Sequence, residues 1–234
     1  MSNHERLFAM NAVIYYSNTL ESYKIANYIS QKTNYSLIDF HKLNNYSFDN
    51  IFIVFPVHYQ NIPQSIKPII KRIHASKAVI IATYGKMSFG NVLSETQKLL
   101  DTMIVGGGYI PTKHPYVEND KSFDNYKVIN QLIDKINSPN EIVFPKERKN
   151  VFANFFPLTR HRIGVRIKVN NKCTKCGVCN TYCQFIDNGV INNKKCIRCL
   201  KCVNNCPQHA LEYKLSRPMR HYLRKPRCSD IKLF

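Results

Sequence analysis

The sequence predicts an α/β protein, in which a doubly wound parallel sheet is followed by a second, smaller domain. Residues 1–140 alternate strand patterns with helical patterns and contain no cysteine. Residues 141–234 contain all nine cysteines. They also hold 20 basic and 5 acidic side chains, a net charge of +15, whereas residues 1–140 hold 14 and 10, a net charge of +4. Such a change in composition indicates a domain boundary.

Five apolar segments predict the strands of the sheet. They are rich in β-branched and aromatic residues and are separated by turn-forming or helical stretches. Residues 51–55 are continuously apolar, which is typical of a parallel strand covered on both faces. The five segments are residues 12–16, 36–40, 51–55, 77–83 and 103–105.

Helical patterns lie between these strands and after the last one. Strands that alternate with helices imply a parallel sheet with helices on both faces, and ligands of such sheets bind beyond the carboxyl ends of the strands. The third of the four helices is expected near residues 89–101. The glycines at 106–108 predict a flexible turn. Apolar faces of the other helices are formed by Ile25, Ala26 and Ile29, by Ile66, Ile69, Ile70 and Ile73, and by Val128, Leu132 and Ile136.

Eight of the nine cysteines form two runs with the same spacing, Cys-x2-Cys-x2-Cys-x3-Cys. This is the bacterial ferredoxin spacing, in which three cysteines of one run and the last cysteine of the other hold each [4Fe–4S] cluster. Zinc also accepts Cys-x2-Cys pairs, but it gives no reason for two runs of four with the same spacing. The expected ligands are Cys173, Cys176, Cys179 and Cys206 for cluster one and Cys196, Cys199, Cys202 and Cys183 for cluster two.

The two runs differ after their second cysteine. Gly177 follows it in the first run, where glycine lets backbone amides approach the inorganic sulfide. Leu200 stands at this place in the second run, so the two clusters need not share a reduction potential. Cys228, the ninth cysteine, is expected to be a free thiol near a mobile C-terminus.

A loop rich in hydroxyl groups joins the first strand to the first helix. In a doubly wound sheet this is where a phosphate meets the helix N-terminus and its unpaired amides. Ser17, Thr19 and Ser22 are the hydroxyl residues of this loop. They indicate a site for a phosphate-bearing cofactor, whereas no G-x-G-x-x-G follows a strand to indicate a nicotinamide site.

The same loop resembles that of flavodoxins, which reads S-x-T-G-N-T or S-G-T-G-N-S. Further matches follow at residues 55–59 with Ile62 and Pro63, then at 83–85 and at 107–109. With the two cysteine runs and the basic segment 217–222 behind them, nearly the whole chain from about Asn11 resembles the flavodoxin–ferredoxin fusion family of anaerobic bacteria and archaea. The resemblance implies a flavodoxin-like α/β domain and a small α+β two-cluster ferredoxin domain.

The resemblance also implies FMN in the first domain. Ser17, Thr19 and Ser22 match phosphate-contacting positions, whereas Leu20 and Glu21 replace the Gly and Asn of the family. Gly permits a positive φ at that place, and a carboxylate would repel the phosphate unless it points outward. The expected flavin-binding residues are Ser17, Asn18, Thr19, Leu20, Glu21, Ser22, Pro56, Val57, His58, Tyr59, Thr83, Tyr84 and Gly85.

Composition and resemblance together divide the chain into four expected segments. Residues 138–140, Ser-Pro-Asn, form a turn cluster where the composition changes. The segments are a flavodoxin-like domain at 1–137, a basic linker at 138–171, a ferredoxin domain at 172–213 and a basic C-terminal tail at 214–234.

The positive charge predicts an acidic partner. Two oxidised clusters and an FMN phosphate would contribute about −2 each, which leaves a net charge of about +13. Basic surfaces of this kind steer acidic redox proteins or enzymes, and no helix-turn-helix, RNP or zinc-finger pattern supports a nucleic-acid partner. The basic residues form two stretches, Lys146, Arg148, Lys149, Arg160, Arg162, Arg166 and Lys168, and Arg217, Arg220, Arg224, Lys225 and Arg227.

The expected function is electron transfer between the two clusters, FMN and the acidic partner. No apolar run approaches the roughly 18 residues of a membrane span, and no signal peptide is evident, so a cytoplasmic location is expected. The alternative is a flavin-dependent reductase fed through its clusters, with His58, Tyr59 and Lys86 lining a substrate pocket. No acid–base pair marks a catalytic centre, which favours electron transfer. A nucleic-acid or scaffolding role is the third and weakest hypothesis.

Overall fold

The computed structural model describes residues 10–154, 162–225 and 227–234. The chain divides into two compact units. The first comprises residues 10–114, 119–153 and 228–234, and the second comprises residues 115–118 together with the described residues from 154 to 227. No helix in these ranges has both the length and the apolar character that crossing a membrane requires.

The sheet of the first unit has six strands, β1 (Ala12–Tyr15), β2 (Ser36–Asp39), β3 (Ser47–Pro56), β4 (His74–Tyr84), β5 (Asp101–Pro111) and β10 (Lys232–Leu233). Their order is β10-β5-β4-β3-β1-β2. Strands β1 to β5 are parallel, which confirms the predicted parallel sheet, and β10 is antiparallel to β5. The order 2-1-3-4-5 is that of flavodoxin-like folds, and the direction of winding reverses between β1 and β3.

Four helices flank this sheet, α1 (Glu21–Thr33), α2 (Lys67–Ile70), α3 (Val92–Gln97) and α4 (Tyr126–Asp134). Single turns of 3-10 helix lie at Phe40–Lys42, Lys135–Asn137 and Val151–Ala153. The helix expected near 89–101 is shorter than predicted. Gly90 has a φ of 63°, and a Cβ there would lie 2.5 Å from Cβ of Gln60, so the chain makes a tight turn before α3 begins.

The core of the first unit lies on both faces of the sheet. Side chains of β3 alternate between two apolar clusters, as the period of a strand requires. Helices α1 and α4 cover the cluster that contains Phe52 and Val54, and α2 and α3 cover the cluster that contains Ile53 and Phe55. The sheet is therefore covered on both faces. The carboxyl ends of its parallel strands remain as the place where a ligand can bind.

The predicted flexible turn at residues 106–108 is wrong, because these glycines are buried in the middle of β5. A Cβ on Gly106 would lie 2.7 Å from Cβ of Lys135, and one on Gly107 would lie 2.5 Å from the carbonyl oxygen of Ile80. Glycine at these places allows the close approach of neighbouring chain. Its presence reflects packing and not flexibility.

The second unit is a small α+β structure. Its strands are β6 (Val165–Val169), β7 (Ile186–Asp187), β8 (Val190–Ile191) and β9 (Leu211–Leu215), and its helices are α5 (Val178–Tyr182), α6 (Lys201–Asn204) and α7 (Arg217–Leu223). Strands β6 and β9 pair in antiparallel fashion, and β7 and β8 form a second two-stranded sheet. A small apolar cluster built on Ile186, Cys202 and Leu211 forms its core.

The limits of the two units run differently from the four expected segments. Phe144, expected in the linker, is buried in the core of the first unit, whereas β6 belongs to the second unit. The expected tail contains α7 and β10, and β10 is part of the first sheet. Charge and cysteine content identify the cysteine-rich part of the sequence. They give no sign of β10, because its pairing depends on a strand far away in the sequence. Arg160 lies outside the described residues.

Candidate cluster and flavin sites

The two cysteine runs adopt the same local backbone conformation. The residue before the second cysteine is left-handed in both, with φ of 55° at Lys175 and 58° at Arg198. The residue after it is left-handed too, with φ of 74° at Gly177 and 63° at Leu200. A short helix, α5 or α6, then carries the third cysteine. The repeated spacing therefore corresponds to two equivalent loops.

A cavity in the second unit is lined by Cys173, Cys176, Cys179 and Cys206, the four expected ligands of cluster one. It contains about 340 Å³ of space not filled by atoms, part of which is open to solvent. Three of these cysteines come from the first run and Cys206 comes from the second. The fold thus brings together residues of both runs, as shared ligation between runs requires.

The lining of this cavity suits a cluster. Gly189 has a φ of 86°, and a Cβ at this position would lie only 3.2 Å from Sγ of Cys173. The backbone N–H of Ala210 donates to Sγ of Cys206 at 3.3 Å. Amide hydrogen bonds to cysteine sulfur stabilise the negative charge of a thiolate ligand.

The other four cysteines of the runs form a second group. Burial, together with the charges of Cys183 and Cys196, raises the pKa of Cys199 to about 11 and that of Cys202 to about 12. The backbone N–H of Phe185 donates to Sγ of Cys183 at 3.4 Å. The four thiols are therefore close enough to influence one another's pKa values. The positive iron ions of a cluster would reduce the repulsion between them as thiolates.

The two groups differ in exposure. Cys196 and Cys202 of the second group are only 7% and 6% exposed, whereas Cys176 of the first group is exposed. Across the described ranges, no three His, Cys, Asp or Glu side chains are grouped so that they could hold a metal ion.

Two residues beside the second group did not stand out in the sequence. The Arg198 side chain is buried, and its Nε donates to the carbonyl oxygen of Val165 at 3.1 Å. The Tyr116 hydroxyl donates to the carbonyl oxygen of Arg198 at 2.5 Å. Tyr116 follows β5 in the sequence, far from the cysteine runs, so no local pattern could connect it with them.

The loop after β1 contains two buried polar atoms that lack a partner among the described residues. They are Oγ of Ser17 and Oδ1 of Asn18. Leu20 has a φ of 68°, which is the left-handed conformation that glycine would adopt there without strain. Helix α1 begins at the next residue, and no side chain caps its N-terminus. An unsatisfied hydroxyl before an uncapped helix fits a phosphate group.

Glu21 and Ser22 are already engaged within the first unit. Glu21 is 6% exposed, and its Oε1 accepts from Nζ of Lys24 at 2.8 Å and from Oγ of Ser122 at 3.1 Å. Oγ of Ser22 is hydrogen-bonded to Oγ1 of Thr83 at 2.8 Å. The ammonium of Lys24 thus compensates the carboxylate that replaces asparagine. Thr19 is exposed.

The loop after β3 makes a tight two-residue turn. The backbones of His58 and Asn61 exchange two hydrogen bonds of 2.9 Å, and Tyr59 and Gln60 between them have φ of 54° and 62°. Such a turn usually carries Asn-Gly, so this sequence holds a strained backbone there.

Burial lowers the pKa of His58 to about 4, which keeps the imidazole neutral near pH 7. Pro56 ends β3, and the N–H of Val57 donates to the Thr83 carbonyl at 2.7 Å.

The last residue of β4 and the two residues after it are packed within the first unit. Tyr84 is 2% exposed, and its hydroxyl donates to the carbonyl oxygen of Asp230 at 2.6 Å, so its ring is not presented at the surface. A Cβ on Gly85 would lie 2.6 Å from Cδ2 of His114. Nζ of Lys86 pairs with Oδ1 of Asp120 at 2.8 Å.

The ninth cysteine begins the chain segment that returns to the first unit. Its N–H donates to the carbonyl oxygen of Lys86 at 2.9 Å, and Sγ of Cys228 donates to Oδ2 of Asp230 at 3.3 Å. The same sulfur lies 3.6 Å from the Tyr84 hydroxyl. Cys228 is thus a half-buried thiol fixed against the first core, where the sequence suggested a mobile end.

Comparisons with known proteins bear on the second unit most directly. Residues 190–212 match the 4Fe-4S binding domain family, and this range includes Cys196, Cys199, Cys202 and Cys206. Among solved structures, the chain is similar to a protein of Bacteroides uniformis described as a flavoprotein, with 14% identity, 54% of this chain and 98% of that chain covered, and a TM-score of 0.39. No curated protein sequence matches the chain. The second unit therefore carries a ferredoxin-type 4Fe-4S motif.

Proposed function

We propose that the protein transfers electrons between two [4Fe–4S] clusters, an FMN and an acidic redox partner. The observation that carries the proposal is the convergence of Cys173, Cys176, Cys179 and Cys206 on one cavity. A cysteine of the second run completes the set of the first, which is the arrangement of two-cluster ferredoxins. The repeated left-handed loop conformation supports a second, equivalent cluster on the remaining four cysteines.

The chain's own contribution is to hold and tune these cofactors. Each cluster supplies a one-electron couple, and the flavin supplies a one- or two-electron couple when bound. Amide N–H groups of Phe185 and Ala210 donate to the sulfurs of Cys183 and Cys206 and stabilise the thiolate ligands. The burial of Cys202 keeps water from one side of the second group.

The first unit offers the place for FMN. Ser17 has a buried hydroxyl without a partner among the described residues, and it would donate to the phosphate beside the N-terminus of α1. Glu21 is held by Lys24 and Ser122, so the phosphate would not face an uncompensated carboxylate. The pairing of Lys86 with Asp120 gives no support to Lys86 as a free substrate-binding group of a reductase.

The cluster assignment is tested by pairs of cysteine variants. Protein purified without oxygen is expected to contain about eight iron and eight sulfide per chain. Cys176→Ala and Cys206→Ala should damage the same cluster, and Cys183→Ala and Cys199→Ala the other, as resolved by electron paramagnetic resonance of the reduced protein. Cys228→Ala is the matched control and should retain all the iron.

Two results would contradict this assignment. One is zinc as the sole metal in protein prepared without oxygen. The other is a Cys206→Ala spectrum that matches that of Cys199→Ala. The last cysteine of the second run would then bind the same cluster as the other cysteines of its own run.

A further inference from the structure

Arg198 is a cation buried inside the second cysteine loop. It lies between Cys196 and Cys199, and only 3% of it is exposed. Its Nε donates to the carbonyl oxygen of Val165 at 3.1 Å, and its Nη2 donates to Oδ1 of Asn193 at 2.7 Å. Its Nη1 is buried and has no hydrogen-bond partner within the described part of the chain.

No carboxylate neutralises this guanidinium among the described residues. The ion pairs of these residues use Lys24, Lys86, Lys149, Lys232 and His74, and none uses Arg198. Both acceptors of its hydrogen bonds are uncharged oxygens. A buried charge without a counter-charge is costly, and it persists in folded proteins where an opposite charge lies close by.

The corresponding residue of the first loop is different. Lys175 has the same left-handed backbone as Arg198, with φ of 55° against 58°. Lys175 is exposed, however, so its charge is screened by water. The equivalent positions therefore hold a solvated cation in one loop and an interior cation in the other.

Tyr116 lies close to both Arg198 and the second cysteine group. Its hydroxyl donates to the carbonyl oxygen of Arg198 at 2.5 Å. Burial raises the pKa of Tyr116, the charges of Cys199 and Cys196 raise it further, and the charge of Arg198 lowers it. The phenol, the guanidinium and two of the expected cluster ligands thus lie within electrostatic reach of one another.

We propose that Arg198 is the internal counter-charge of cluster two and raises its reduction potential. This inference rests on the proposed function. A [4Fe–4S] cluster with four thiolate ligands carries about −2 when oxidised and about −3 after it accepts one electron, with no proton and no bond change. The electron comes from a one-electron donor, for which dithionite serves in the experiment. A fixed positive charge stabilises the −3 state more than the −2 state, so it favours reduction.

The test is a redox titration of the full chain with both clusters present. Dithionite and mediators set the potential, and electron paramagnetic resonance follows each cluster. Arg198→Gln should lower the midpoint of cluster two by at least about 59 mV, a tenfold change in a one-electron equilibrium constant. Arg198→Lys should keep the midpoint of cluster two within about 59 mV of the wild-type value. Arg166→Gln, the same change at an exposed position of β6, should shift neither cluster.

The outcomes separate charge from shape and from the proposed function. The proposal that Arg198 is a counter-charge would be overturned if Arg198→Gln left the midpoint of cluster two unchanged. It would also be overturned if Arg198→Lys lowered that midpoint as much as Arg198→Gln does. Loss of cluster two in Arg198→Gln alone, with iron falling from about eight to about four, would support it, whereas loss in both variants would overturn it. Wild-type protein with about four iron would overturn the two-cluster function itself, and the counter-charge with it.

Discussion

Oγ of Ser22 lies 2.8 Å from Oγ1 of Thr83, and this buried hydrogen bond joins the first turn of α1 to the end of β4. The two residues are 61 positions apart in the sequence. Because each hydroxyl satisfies the other, Ser22 is bound to the sheet, and Ser17 is the serine of this loop whose buried hydroxyl has no partner among the described residues.

We therefore expect Ser17→Ala and Ser22→Ala to act differently. Ser17→Ala should weaken FMN binding about tenfold or more, since a hydrogen bond to a charged group contributes about 1.5–3 kcal/mol. Ser22→Ala should instead lower the free energy of unfolding by about 1 kcal/mol. Quenching of flavin fluorescence by apo-protein measures the first effect, and urea unfolding measures the second.

Ser65→Ala, at an exposed serine of the same unit, is the control for both measurements. A wild-type protein that binds no FMN at micromolar concentration would remove the flavin from the proposed function and leave the clusters untouched. Equal losses of FMN affinity in Ser17→Ala and Ser22→Ala would show that the Ser22–Thr83 bond opens for the cofactor.

Leu20 should respond to substitution according to its left-handed backbone. Its φ is 68° and its side chain is 55% exposed, so little apolar burial offsets the strain. Leu20→Gly should stabilise the protein by about 0.5 kcal/mol, because relief of about 1 kcal/mol exceeds the extra entropy of glycine in the unfolded chain. Leu20→Val should destabilise it, since β-branched residues adopt a positive φ least readily. Thermal unfolding that shifts in the same direction for both variants would contradict this reasoning.

The sequence could predict the parts of the protein that depend on local pattern. The five parallel strands follow from apolar periodicity, and the matching backbone of the two cysteine loops follows from their equal spacing. The replacement of Gly by Leu20 in the flavodoxin-like loop was visible in the sequence. Its consequence was not, because a backbone dihedral is decided by how the loop meets α1.

Features that depend on distant contacts could not be predicted. Gly107 in β5 is explained by Phe144, whose Cζ would lie 2.5 Å from an added Cβ, and these residues are 37 positions apart. Arg198 looks like any other basic residue of a +19 chain until its burial is known. Pairing of β10 depends on β5, more than 100 residues earlier in the sequence.

His58 should make the stability of the first unit depend on pH. Its pKa is lowered to about 4 by burial, against 6.5 in the unfolded chain. As the pH falls below 6.5, His58 binds a proton in the unfolded state but stays neutral in the folded state. The free energy of unfolding therefore falls progressively between pH 6.5 and 4. The slope from this group is at most about 1.4 kcal/mol per pH unit.

Urea unfolding at several pH values tests this dependence. The difference in stability between wild type and His58→Gln should shrink as the pH falls from 7 to 4. The Ser65→Ala control, which changes an exposed residue and no titratable group, should follow wild type. Parallel curves for wild type and His58→Gln would show that the imidazole is not desolvated.

The basic helix α7 should govern encounters with an acidic partner. Arg217, Arg220 and Arg224 are exposed, whereas Lys149 of the other basic stretch is paired with Glu95 at 2.6 Å. Electron transfer to an acidic ferredoxin should slow as salt rises to physiological strength, where the Debye length is about 8 Å. Neutralising the three arginines together should slow it at low salt with cluster content unchanged. A rate indifferent to salt and to these substitutions would mean that the charge does not steer docking.

The last four residues should stabilise the first unit even though the cysteine-rich segment separates them from it in the sequence. Leu233 pairs with Gly108, and the backbones of Phe234 and Gly107 exchange hydrogen bonds of 2.9 and 3.3 Å. The Phe234 ring lies 5.6 Å from that of Phe144 in an edge-to-face arrangement. Ile231 and Leu233 pack against the apolar cluster of α1 and α4.

Deletion of residues 231–234 should therefore lower the free energy of unfolding of the first unit by about 3 kcal/mol, from the lost burial of partly buried apolar side chains. It would also expose β5 as a sheet edge, which promotes association between chains. Lys232→Gln, which removes the 2.8 Å ion pair with Glu147 and the cation–π contact with Phe89, is the control and should cost about 1 kcal/mol. Urea unfolding followed by circular dichroism measures both effects. If the deletion and the control gave the same midpoint, β10 would contribute nothing beyond its surface charge, and the sheet would end in solution at β5.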